Sequence, residues 1–151
     1  MRGVSTAEGD IQVLAIKNCK SDIYSTELAS ELLIGRYRMP PPKDPNNPFS
    51  RHEISLLSEG KTSLQSAKGI HRSERFNRDI LPLALPLVEA IGHRIAFEAA
   101  QEANLDLKLI DMYAIGVIKE DSAWYAEQGG LSRATKMEME SQAADALLPA
   151  L

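Results

Sequence analysis

The side chains that could do chemistry are few and widely spaced. Glu8 and Asp10 flank Gly9 near the start of the chain. A carboxylate beside a glycine suits a general base, because the missing side chain lets backbone approach a bound molecule closely. The same two acids would also be favoured at the mouth of a helix, by about 0.3–1 kcal/mol through the helix dipole. Glu89 and His93 stand four residues apart and share a helix face. Di-iron helix bundles instead use Glu-x-x-His, three apart and supplied twice, so a surface or interhelical acid–histidine pair is expected here and no metal site. His52 precedes Glu53, and His71 lies in a polar link; neither has a partner that sequence identifies.

Cys19 is the only cysteine, which excludes an intrachain disulfide and a cysteine-based zinc site. On an apolar helix face it is expected to be a small core residue. A Gly-x-Ser-x-Gly elbow, a phosphate-binding glycine loop and a Gly-x-Gly-x-x-Gly fingerprint are all missing from the sequence. Trp124–Tyr125 is expected to anchor a core or a domain edge rather than to form a ligand platform. Met112, Met137 and Met139 are expected to fill gaps between helices, and Glu138, Glu140 and Asp145 to form a solvated helix face.

The elements that would position these residues show helical periodicity throughout. Ile16, Cys19 and Ile23, and Tyr24, Leu28 and Leu32, have the spacing of one face, predicting a first long helix over 10–34 that stops at Gly35. Such a helix would be roughly 37 Å long at 1.5 Å per residue, and burying its stripe needs partners. Met39–Pro48 contains Pro40, Pro41, Pro42, Pro45 and Pro48 and is expected to cross the surface as an extended connection. Ser50 would cap a short helix, Arg51–Ser58, ended by Gly60, and Lys61–Gly69 would be irregular or weakly helical. The strongest pattern spans Ser73–Ala103 through Phe76, Ile80, Leu83, Leu87, Ile91 and Ile95. Pro82 and Pro86 interrupt it and predict a kink, or a restart capped by Asp79. Asn104 or Asp106 would cap a helix through Leu107, Ile110, Ala114, Val117 and Ile118. Ser122–Gln128 closes at Gly129–Gly130, and Ser132 caps a last helix that stops at Pro149. A sustained period of two occurs in none of these segments. The expectation is an all-α bundle of five or six helices without a sheet, in one domain: residues 10–38, a connection over 39–72, and a helical remainder over 73–151.

Composition narrows the function classes. With 44% hydrophobic and 25% charged residues the chain is ordinary for a folded globular protein. Seventeen basic and 21 acidic residues give a net charge of -4, which disfavours binding nucleic acid through a phosphate-neutralising face. Charged residues interrupt the first segment and no apolar run reaches about 18 residues, so a secretory leader and a membrane span are not expected, and the expected location is intracellular and soluble.

Ala7-Glu8-Gly9-Asp10 followed by an apolar helix resembles the Glu-Gly-Asp segment of flavin-dependent acyl-CoA oxidases and their dehydrogenase relatives. Ile80-Leu81-Pro82, Leu87-Val88-Glu89-Ala90-Ile91-Gly92-His93-Arg94, Trp124-Tyr125 and Leu131-Ser132-Arg133 follow in an order similar to the tail of the fungal members. The resemblance implies the family's C-terminal helical domain, with Glu8 as the base that removes the α-proton of an acyl-CoA thioester while hydride leaves the β-carbon for flavin. Desolvation would raise the pKa of such a base towards working pH. Gly9 and Asp10 would lie near flavin or thioester, and FAD would carry the redox step.

Two departures qualify what is implied. Ile11 stands where many oxidases have asparagine, and the family places its flavin- and substrate-binding domains before this glutamate, where only seven residues stand here. The expectation is therefore a C-terminal part, inactive alone, that forms a homo-oligomer or joins a missing N-terminal half. The C-terminal Pro149-Ala150-Leu151 is not Ser-Lys-Leu, leaving a peroxisomal or cytoplasmic location. The other expectation is a non-catalytic helical module that presents apolar faces to a partner.

Overall fold

The computed structural model describes residues 22–66 and 74–148, and among them it contains helices and no strand. In chain order these are α1 (Asp22–Ile34), α2 (Pro48–Ser66), α3 (Glu74–Glu102), α4 (Leu107–Glu120), α5 (Ser122–Glu127) and α6 (Arg133–Leu147). The all-α expectation holds. Glu8, Gly9, Asp10, Cys19 and His71 lie outside the described residues, as does the 10–21 part of the expected first helix.

Helix boundaries follow from local chemistry. α1 ends at Gly35, whose φ of 83° is open to a residue without Cβ. Arg36 and Tyr37 donate their backbone N–H groups to the Glu31 carbonyl at 3.0 and 3.1 Å, and Gly35 donates to Leu32 at 3.2 Å. These bonds satisfy carbonyls that the helix end would otherwise leave orphaned. The proline-rich 39–47 segment is non-helical and largely exposed, as expected.

α2 corrects the short helix expected over Arg51–Ser58. It starts at Pro48, where a missing N–H costs nothing, and Asn47 Oδ1 accepts from Phe49 N at 2.9 Å. It then passes through Gly60 to Ser66, so Lys61–Ser66 takes the helical one of the two alternatives expected. A glycine stops a helix when it takes a positive φ, as Gly35 does. Gly60 does not; it is buried, and a Cβ there would come within 2.6 Å of Leu33 Cδ2. The polar C-terminal turns satisfy their own hydroxyls: Thr62 donates to the Ser58 carbonyl and Ser66 to that of Thr62, each at 3.0 Å.

α3 contains both Pro82 and Pro86 and continues across them, so the restart at Asp79 does not occur. The prolines stand four apart on one side of the helix, Pro82 exposed and Pro86 half-buried. The buried line runs Ile80, Ala84, Leu87, Ile91, Arg94 rather than the expected line ending at Ile95, which is 39% exposed. A 3.6-residue period moves the core face from 91 to 94 and carries Ile95 away from it. α3 also holds Arg78–Glu102, one helical segment long and apolar enough by composition to cross a membrane. Arg94 interrupts its apolar surface, being 2% exposed and paired with Glu98 within the protein.

Asn104 and Asp106 divide the roles that sequence left open. Asn104, at φ 51°, closes α3: Leu105 N donates to Ala100 O at 3.1 Å and Asn104 N to Gln101 O at 3.0 Å. Asp106 caps α4 by accepting from Lys108 N at 3.0 Å. Asp121 caps α5 through Trp124 N, and Ser132 caps α6 through Thr135 N at 3.1 Å.

Contacts divide the chain into two compact units, Met1–Pro40 with Leu56–Glu89, and Pro41–Ser55 with Ala90–Leu151. In the first, Ala29, Leu32 and Leu33 of α1, Leu56 of α2, and Ile80, Ala84 and Leu87 of α3 are buried. In the second, Phe49, Val117, Ile118 and Tyr125 form the core, with Phe97, Ala114, Trp124, Leu131 and Met139 packed on it. Tyr125 is therefore the core anchor expected. Met139 fills a gap between helices, but Met112 and Met137 do not, being 45% and 60% exposed.

Candidate functional site

The second unit buries a set of polar side chains beside its aromatic core. His52, Glu53 and Arg94 are 5%, 3% and 2% exposed. Phe49, His52, Glu53 and Leu56 repeat at helical spacing on α2, so the stripe that should be apolar carries an imidazole and a carboxylate at its centre. Arg94 takes the same kind of place on α3.

Two aromatic neighbours and one carboxylate fix His52. Its Nε2 lies 2.9 Å from Asp121 Oδ2, and its Nδ1 lies 3.4 Å from the Tyr125 hydroxyl. The imidazole centroid is 4.6 Å from that of Trp124 and 5.0 Å from that of Tyr125. Burial raises the Tyr125 pKa, and the negative charge of Asp121 raises it further. A phenol kept protonated donates to Nδ1, which leaves Nε2–H to donate to Asp121. Both ring nitrogens are thereby used inside the protein. The pair has the composition of a catalytic dyad, yet no lone pair of His52 faces a substrate. Trp124 Nε1 donates to Ser55 Oγ at 3.1 Å and ties the indole to α2.

Glu53 closes the cluster from the other side. Arg94 Nε donates to Glu53 Oε2, Arg94 Nη2 approaches Glu53 Oε1 at 3.5 Å, and Arg94 Nη1 donates to Glu98 Oε2 at 2.8 Å. Burial alone would lower the Arg94 pKa, but its bonds to Glu53 and the charges of Glu53 and Glu98 outweigh that and raise it. Glu98 also accepts from Lys43 N at 3.0 Å, and Lys43 Nζ pairs with Glu102. The proline-rich segment is thus fastened to α3 by its own backbone.

His93, expected to face Glu89, has Glu120 Oε2 at 3.3 Å from its Nε2. Burial lowers its pKa; Glu120 opposes that shift and His52 adds to it. Consecutive carboxylates at the end of α4 therefore serve different histidines, Glu120 for His93 and Asp121 for His52. Groups of three or more potential metal ligands do not occur among the described residues.

Clefts open within the second unit. One, of about 260 Å³, is lined by Lys43, Asp44, Asn47, Glu98, Gln101 and Glu102, and its excess of carboxylates repels a pyrophosphate. Another of about 260 Å³ lies along α4 and α6, lined by Ile115, Met139 and Ala143 among others. Neither contains the residues that the resemblance assigns to cofactor, since Gly9 and Asp10 lie outside the described residues. Comparison of the chain with models of known families, with curated proteins and with solved structures finds no match.

Proposed function

We propose that the chain is the helical C-terminal part of an FAD-dependent acyl-CoA oxidase- or dehydrogenase-like enzyme, with Glu8 as the base of α,β-desaturation. One observation carries the reading: Ala7-Glu8-Gly9-Asp10 precedes His93-Arg94, Trp124-Tyr125 and Leu131-Ser132-Arg133 in the order that the family resemblance requires. Of these later residues, Arg94 and Tyr125 are buried in the second unit and Trp124 and Leu131 pack against its core, while Ser132 and Arg133 are exposed.

The chemistry divides accordingly. Glu8 would take the proton from the thioester α-carbon, and a bound FAD would supply the hydride-accepting chemistry for the β-carbon. The described helices supply support rather than reacting groups, because His52 and Arg94 are engaged by partners within the chain. On this reading the chain alone neither holds FAD tightly nor turns over.

The test is to mix the purified chain with FAD and acyl-CoA thioesters of several lengths and to follow flavin absorbance and its bleaching. Weak or undetectable flavin retention is expected. Turnover restored by a separately supplied flavoprotein half, and lost with Glu8→Gln, would support the base assignment. Turnover that survives Glu8→Gln would overturn it.

A further inference from the structure

Pro40, Pro41 and Pro42 leave the backbone little choice. Each ring holds φ at about −65°, and the residue before each ring is kept out of the helical region. Met39, Pro40 and Pro41 all precede a proline, so polyproline II geometry here is dictated by covalent sterics rather than by packing. The structure agrees. The chain bends at Arg36, Tyr37 and Lys43 and runs straight from 38 to 42, with trans peptide bonds.

This run faces solvent: Pro40 and Pro41 are exposed and Pro42 is half-buried. Just upstream, Arg38 is exposed and forms no hydrogen bond or ion pair among the described residues, whereas Arg36 pairs with Glu31 at 3.5 Å. The Cα separation of Arg38 and Pro41 depends only on the dihedral angles of Met39 and Pro40, both of them restricted. It amounts to one polyproline turn, about 9 Å, which sets the guanidinium and the Pro41 ring on the same edge. The cation that follows the run is already in use, since Lys43 N donates to Glu98 at 3.0 Å and the Lys43 ammonium pairs with Glu102.

A preformed polyproline helix loses little entropy on docking, and grooves lined with aromatic rings recognise it. An unpaired arginine one turn away adds a directional cation that a carboxylate can read. We propose that Arg38–Pro42 is a docking segment for a protein module with an aromatic-lined groove and an acidic rim, the Pro40–Pro41 pair entering the groove and Arg38 meeting the rim. A single turn of polyproline gives weak, reversible binding. The inference does not rest on Glu8 or on flavin.

The test titrates the full chain into isotope-labelled WW domains, chosen to include members with acidic and members with neutral groove rims, and follows the groove tryptophan indole by NMR. Acidic-rimmed members are expected to shift saturably with a Kd on the order of 100 μM. Pro41→Ala and Arg38→Glu should each weaken binding by about tenfold or more, while Arg36→Glu should change it by less than about twofold. Circular dichroism of each variant should match wild type, because these positions are exposed and lie outside the helices. Absence of any shift at about 1 mM chain would overturn the proposal. So would binding that survives Pro41→Ala, equal affinity for neutral and acidic rims, or equal losses from Arg36→Glu and Arg38→Glu.

Discussion

The two units bury different chemistry. In the first, Ala29, Leu32, Leu33, Leu56, Ile80, Ala84 and Leu87 bring together aliphatic surface, and the buried Ser30 hydroxyl finds no partner among the described residues. In the second, the aromatic core is joined by a histidine, two glutamates and an arginine that are buried or nearly so and bonded to one another or to Asp121 and Tyr125. Aliphatic packing is non-directional and tolerates a change of partner of similar volume. A buried ion cluster is directional, and each member depends on the others for its solvation. The first unit should therefore fail by misfit and the second by loss of a partner.

The largest expected effect separates these modes. Arg94→Met should destabilise the second unit by about 3–5 kcal/mol, because Glu53 would stay buried without its cation. Pairing Arg94→Met with Glu53→Gln should recover a large part of that loss. Urea unfolding followed by Trp124 fluorescence, which reports beside His52 and Ser55, measures it. A single variant as stable as wild type would show that the cluster is solvated by something other than its own members.

The same contrast explains what sequence made legible. Periodicity alone indicated an all-helical chain, and Gly35, Asp106 and Ser132 mark real helix ends because each acts through its own local geometry. Gly60 misled because a glycine's tolerance for positive φ and its lack of volume are equally visible in sequence, and only the neighbouring Leu33 shows which one is used. The polar cluster was legible only as an anomaly: His52, Glu53 and Arg94 occupy stripe positions where apolar residues belong. Asp121 reaches His52, and Glu53 reaches Arg94, from a different helix, and spacing along one helix cannot nominate those contacts, whereas Glu98 stands four residues from Arg94 on α3 itself. Glu8, the candidate base, was read from resemblance and lies outside the described residues.

Gly60→Val tests misfit in the first unit, and a smaller effect is expected. The new side chain would meet the Leu33 methyl groups, at 2.6 and 3.2 Å from its Cβ, and overpacking of this kind costs about 1–3 kcal/mol. Because the clash is with the far end of a side chain, adding Leu33→Ala should return part of the stability. Thermal unfolding of the single and double variants decides the matter. Additive losses would mean that Gly60 is needed for its backbone rather than for its missing volume.

The smallest expected effect lies at His93, where the second unit's dependence on charge can be tuned without cutting a residue out of the buried cluster. Burial lowers the His93 pKa below its ordinary 6.5, against the pull of Glu120 and with the push of His52, while Tyr113 faces the ring at a centroid distance of 6.4 Å. The unfolded chain therefore binds a proton at a pH where the folded chain does not. The stability tied to neutral His93 is fully present above 6.5, and it declines as pH falls through 6.5 towards the lower folded value. Melting temperature should drop between pH 7.5 and pH 5.5 in wild type, and by less in His93→Gln. Equal drops in both proteins would transfer the pH dependence to the carboxylates and leave Glu120 as a mere surface neighbour of the ring. A steeper drop in the variant would reverse the sign, making the His93–Glu120 contact one that favours the charged ring over burial.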